Sequence, residues 1–193
     1  MPIEFVGFTA DRRITAMIPL ADDRLSDMLN SVTRIVLRDA VVGDLAEGGV
    51  PLSGDVTLPV GDLVAVIGTG RRGSESRRRR TAVRRVSLGL GRYTVSGSLH
   101  VDPSQADFPQ RCDPASILAG RDVLVAVTDA SISYDCVNVK TTESHDTILV
   151  NPARTNWIEV MAEEEPEADG EPTEDAADTR TRYVKDFTGT VAD

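Results

Sequence analysis

The sequence predicts a mainly β protein: two tandem duplicated small β-barrel-like units, each with one short helix, plus a disordered acidic C-terminal tail. Three observations carry this expectation. Short segments of alternating apolar and polar residues dominate residues 3 to 161, the same order of segments recurs on both sides of an arginine-rich stretch, and composition changes abruptly after Met161. Alternation with a period of two marks a strand that buries one face.

In chain order, IEFVGF from Ile3 and RITAMIPL from Arg13 alternate on either side of Asp11 and Arg12, which predicts a β-hairpin. In ADDRLSDMLNS, Asp22 or Asp23 is placed to cap a short helix whose Leu25, Met28 and Leu29 recur at helical spacing. RIVLRDAVV from Arg34 returns to strand character, a Gly/Pro-rich loop is expected from Gly43 to Gly54, and DVTLPVGDLVAVIG supplies two more short strands.

The order then repeats. VRRVSLGL and RYTVSGSLHV predict a second hairpin with Gly91 in its turn. ITAMIPLADD from Ile14 can be laid on VSGSLHVDPS from Val95, so that Thr15 meets Ser96, Ala16 meets Gly97 and Ile18 meets Leu99. SDMLN from Ser26 lies against ASILA from Ala115, where Asp113 is the expected cap and Pro114 the first helical residue. IVLRDAV from Ile35 matches VAVTDAS from Val125, with Asp39, Ala40 against Asp129, Ala130. DLVAV from Asp62 matches DTILV from Asp146, and NWIEVM from Asn156 closes the second unit. Four matches in one order argue for internal duplication. The expected divisions are residues 1–69 (first unit), 70–82 (arginine-rich linker loop), 83–161 (second unit) and 162–193 (acidic tail with a terminal linear motif).

Each predicted unit is β-β-α-β-β-β. The bent strand RYTVSGSLHV followed by VLVAVTDASI, and the closing strands around ILVNPARTNWIEV, resemble the Sm-like and SH3-like small β-barrels. Here the helix falls between the second and third strands, whereas Sm-like proteins place it before the first. The RLSDMLN helix after a β-hairpin is also similar to uncharacterised bacterial β-rich domains. These resemblances imply a fold and no function.

The net charge of −10 is unevenly spread: residues 162 to 193 hold 11 acids and 3 bases, a balance of −8, which leaves −2 for the rest. The segment AEEEPEADGEPTEDAAD lacks aromatic and branched apolar residues, so it cannot bury enough surface to offset the entropy of ordering. The N-terminus has no apolar leader and no apolar run reaches the roughly 20 residues that cross a bilayer. The expectation is a cytoplasmic protein with no membrane partner. Two cysteines outside any CxxC spacing, Cys112 and Cys136, fit reduced thiols.

Two segments stand out as candidate sites. Arg71, Arg72, Arg77, Arg78, Arg79, Arg80, Arg84 and Arg85 form the positive run, which can neutralise phosphates or fold against the nine acids of the tail. No aromatic residue is interleaved with them to stack bases. After the acidic spacer, Arg182, Tyr183, Val184, Lys185 and Phe187 read as a partner-binding segment, able to add a strand to an exposed sheet edge; the bland alternative is that it packs on its own sheet or frays. Asp39 and Asp129 recur as a conceivable carboxylate pair, or as residues that end their strands and accept turn hydrogen bonds. His100, Cys112, Cys136 and His145 match no zinc spacing, and no nucleotide-binding or nucleophilic constellation is present, so no catalytic residue, metal or cofactor is expected. Trp157, the lone tryptophan, is expected to pack rather than to bind a ligand. The function that fits is a non-enzymatic interaction or adaptor protein with a protein partner, leaving a homo-oligomer open. The alternative is a nucleic-acid-binding module that uses the arginine run and is autoinhibited by the tail.

Overall fold

A computed structural model describes residues 2–20, 24–45, 49–68, 81–101, 118, 123–136, 139–161 and 182–184. The protein is mainly β, and its strands form an open antiparallel sheet with one short helix packed against it. In chain order these are β1 (Pro2–Phe8), β2 (Arg12–Pro19), α1 (Leu25–Ser31), β3 (Arg34–Asp44), β4 (Val50–Pro51), β5 (Val56–Pro59) and β6 (Ala65–Ile67). There follow β7 (Ala82–Leu90), β8 (Tyr93–Val101), β9 (Val125–Cys136), β10 (Val139–Val150), β11 (Trp157–Val160) and β12 (Arg182–Val184). Their spatial order is β12-β11-β7-β8-β9-β10-β6-β1-β2-β3-β4, with β5 paired to β3 off that path.

The alternation seen in the sequence is realised where it was strongest. In β2, Ile14, Ala16 and Ile18 are buried in turn, and β7 does the same with Val86, Leu88 and Leu90. Gly91 closes the β7–β8 hairpin at φ +69°, a conformation that suits a residue without a Cβ. Helix α1 buries Leu25 and Leu29, but its cap position is taken by Arg24 without a side-chain hydrogen bond. Asp22 and Asp23, the expected caps, lie outside the described residues. The loop expected from Gly43 contains β4, because β3 runs on to Asp44 and pairs Val41 and Val42 with Pro51 and Val50.

The two hairpin-led halves meet through β6 and β10, which place Ile67, Val66 and Ala65 opposite Ile148, Leu149 and Val150. This junction is buried on both faces. Ala65, Ile67, Ile148 and Val150 join one apolar core with Val6, Phe8 and the β7–β9 side chains, while Val66 and Leu149 join a second core with Phe5, Ile18, Leu29 and Leu37. Each fully buried aliphatic side chain contributes about 1.5–3 kcal/mol, so strands committed to two cores tie the halves firmly together. DLVAV and DTILV, laid on each other as corresponding segments of the two units, are both buried on two faces and are hydrogen-bonded neighbours in the sheet. β6 pairs β1 just as β11 pairs β7, so the strand placed like β6 is β11 rather than β10.

Polar contacts reinforce the junction. Asn30 on α1 donates from Nδ2 to the Leu124 carbonyl (2.9 Å) and accepts from the Leu124 amide at Oδ1 (2.8 Å). Asn151, 2% exposed, donates to the Leu63 carbonyl at 2.8 Å while its Oδ1 caps the 3-10 turn Pro152–Arg154 through the Ala153 amide. Phe8, Tyr93 and Tyr134 pack edge to face or tilted, with ring centroids 5.5 to 6.0 Å apart. The Tyr93 hydroxyl donates to the Thr9 carbonyl at 2.8 Å. No helix among the described residues is long and apolar enough to cross a membrane.

Candidate functional site at the β11 edge

Strand β11 lies near one end of the sheet and is held from its N-terminal side. The Asn156 amide donates to the Gly89 carbonyl at 2.7 Å, and Asn156 Oδ1 accepts from the Gly91 amide at 2.6 Å. Trp157 then lies across Gly89, whose missing Cβ makes the space: a carbon there would run into the indole Nε1. Ile158 is buried in the larger core. The expectation of a packing role for Trp157 fits this placement.

At its far end the Met161 amide donates to the Arg85 carbonyl at 2.9 Å. Because bonding direction alternates along an antiparallel strand, residues 157, 159 and 161 turn their backbone groups toward β7, and Ile158 turns its own to the other edge. That edge carries β12, with Trp157, Ile158 and Glu159 opposite Val184, Tyr183 and Arg182. A segment more than 20 residues downstream in sequence has thus added a strand to the sheet. Of the partner-binding residues expected from the sequence, Arg182, Tyr183 and Val184 are in this strand; Lys185 and Phe187 lie outside the described residues. The segment docks on its own sheet, the alternative considered beside an external partner.

The positive run is only partly visible. Arg71, Arg72, Arg77, Arg78, Arg79 and Arg80 lie outside the described residues. Arg84 and Arg85 are in β7, opposite Leu99 and Ser98, half-buried and exposed respectively. Their strand is the one that supports β11, so the end of the arginine run and the tail strand are two strands apart.

A second polar cluster sits on the other side of the junction. Glu143 Oε1 accepts from Arg13 Nη1 (2.7 Å) and from the Tyr134 hydroxyl (2.6 Å), and His145 Nε2 stands 3.5 Å from Glu143 Oε2. Burial, joined by the hydrogen bond to Glu143, pushes the Tyr134 pKa up to about 12. Next to it Asp129, Ser131, Ser144, His145 and Asp146 line a shallow depression. No group of three or more His, Cys, Asp or Glu among the described residues is arranged to hold a metal. His100 is exposed and bridges Thr81 (3.0 Å) and Thr128 (3.1 Å). Cys112, Asp113 and Pro114 lie outside the described residues, and Cys136 ends β9.

Asp39 and Asp129 have left-handed backbones, with φ +50° and +46°. Neither ends its strand, contrary to the turn role considered for them. Each sits inside β3 or β9 where the register shifts: Thr15 and Met17 face Val41 and Arg38, and Ser96 and Ser98 face Ser131 and Thr128. An aspartate is among the few residues that tolerate such a bulge, which is why the same residue recurs at both. The residues that sequence reasoning missed are Asn30, Asn151 and Asn156. The Asn-Pro pair at 151 and 152 was the available signal, since it favours turn initiation. No protein-family model, no curated protein and no solved structure matches this chain.

Proposed function

We propose that this is a non-enzymatic interaction or adaptor protein of the cytoplasm that recognises its protein partner by strand addition. The observation that carries the proposal is the seating of Arg182–Val184 on the outer edge of β11. In strand addition, main-chain hydrogen bonds supply affinity and the flanking side chains supply selectivity. Here the backbone groups of Ile158 face the added strand, and Trp157, fixed over Gly89, stands at its margin. The tail works as a tethered occupant that an external strand has to displace. The scaffold is a duplicated barrel-like unit: the paired bulges, the two left-handed aspartates and the matching β1–β6 and β7–β11 pairings support it.

The test is amide exchange of the full-length chain against Tyr183→Pro, followed by titration with a synthetic peptide of residues 179–188. The Ile158 amide should exchange faster in the variant and be protected again by peptide. Unchanged exchange at Ile158 would remove the strand-addition reading. Affinity capture from cytoplasm with both forms then asks whether opening the edge increases partner recovery, and equal recovery counts against the tail as a regulator.

A further inference from the structure

We infer that β12 occupies the place of a second copy of this chain. With β12 displaced, the outer edge of β11 takes the outer edge of β5 from another molecule, in the register that β6 and β10 already use within one chain. The inference rests on β11 being a strand-addition edge, and it names the occupant.

The register follows from counting off the two bulges. Leu37 and Val127 each lie two residues before the left-handed aspartate, and they face Val56 on β5 and Ile148 on β10. On the other side, Ile67 faces Val6 and Glu159 faces Ser87, where Val6 and Ser87 face Thr15 and Ser96 just before the bulge. So β5 is placed like the end of β10, and β11 like β6. Within the chain, Ile148, Leu149 and Val150 pair with Ile67, Val66 and Ala65. Transferring that pairing sets Val56, Thr57 and Leu58 opposite Glu159, Ile158 and Trp157. Those three β11 positions are the ones that Arg182, Tyr183 and Val184 cover.

The backbone groups at the two edges are complementary. The Val60 amide donates to the Thr33 carbonyl at 3.0 Å, which turns residues 56, 58 and 60 toward β3 and leaves the N–H and C=O of Thr57 facing outward. Thr57 is exposed, and no described strand pairs with that edge of β5. Ile158 presents the matching couple on β11. One internal bond has no counterpart: the Asn151 amide donates to the Val64 carbonyl at 3.0 Å, while Pro59, in the same place on β5, has no N–H to give. The contact between copies is therefore weaker than the internal junction. Because β12 belongs to the same chain as β11, it acts at an effective concentration of about a millimolar, and below that level it holds the edge. Because β5 and β11 are different patches, assembly runs head to tail and leaves one of each edge open at the ends of an unclosed chain.

The experiment uses the full chain in sedimentation velocity, across about a hundredfold range of concentration below the roughly millimolar tail level. Wild type is expected to remain one copy. Tyr183→Pro, which removes a donor from β12, is expected to associate as concentration rises. Adding Thr57→Pro to Tyr183→Pro should return it to one copy, because that proline removes only an outward-facing donor of β5. If Tyr183→Pro stays one copy while its Ile158 amide exchanges fast, self-association is overturned and strand addition stands. If it stays one copy with Ile158 still protected, both fail. Association that survives Thr57→Pro also overturns the inference, since β5 is then not the occupant.

Discussion

The side chain of Asn30 bonds both the amide and the carbonyl of Leu124, 94 positions away, and so closes a small hydrogen-bonded ring between α1 and the entry to β9. Leu124 is itself 2% exposed and belongs to the core that α1 covers. Asn30→Ala leaves both Leu124 groups unpaired in a buried setting and should destabilise the protein by about 2–3 kcal/mol. Chemical denaturation should show a lower midpoint with an unchanged slope. A loss under about 0.5 kcal/mol would mean that water replaces the amide.

Alkaline pH should unfold the protein through its phenols. Burial pushes Tyr93 up to about 12 against the opposing Arg92, and Tyr134 to about 12 as well. A folded value above the unfolded value of about 10 means that each neutral phenol favours the folded state below pH ~10, and that this contribution is lost as pH rises toward 12. Discounted for solvent screening, the two groups together contribute on the order of 2–4 kcal/mol across that window. Urea midpoints measured at pH 8 and then between 10 and 12 should fall steeply, and Tyr134→Phe should remove about half of the dependence. A flat profile in wild type would show that the phenols are not buried as described.

The left-handed aspartates set a backbone test. Asp39→Val and Asp129→Val should each cost about 1–2 kcal/mol, because a β-branched residue is strained at positive φ. Asp39→Gly and Asp129→Gly should stay within about 0.5–1 kcal/mol of wild type, as relief of strain offsets the greater freedom of the unfolded chain. Thermal denaturation of the four variants decides it. Equal losses for valine and glycine would point to a role for the carboxylates themselves.

Gly89 and Trp157 form a coupled pair. Gly89→Ala places a methyl where the indole sits and should cost about 1–3 kcal/mol by overpacking. In a Trp157→Leu background the same change should cost much less, and a double-mutant cycle measures the difference. As the chain has one tryptophan, its fluorescence reports directly on whether β11 has moved. Additive losses would place the indole elsewhere.

How far these features were legible depends on whether they leave a local pattern. The hairpins β1–β2 and β7–β8 were readable because Ile14, Ala16, Ile18 and Val86, Leu88, Leu90 alternate with polar neighbours. The recurring Asp-Ala pairs were visible too, but not their left-handed backbone, since a bulge is set by the facing strand. That DLVAV and DTILV lie side by side was not legible, because two-faced burial erases alternation and makes any two such strands look alike. The candidate edge was half legible: the aromatic segment after the acidic spacer suggested strand addition, while nothing local points to β11 as the acceptor. Asn30 and Asn151 act through carbonyls about 90 positions away, which leaves no trace in spacing.

The double burial of the β6–β10 junction also bears on how the chain is made. Ile67 and Ile148 are 81 positions apart, so during translation β6 emerges roughly 4–16 s before the strand that covers it. For that whole interval Phe5, Ile18, Leu29 and Val66 lack Leu149, and for about the first two thirds of it they lack Leu124 as well. Until β10 has been made, the first half therefore carries a core with one wall missing and β6 with one edge uncovered.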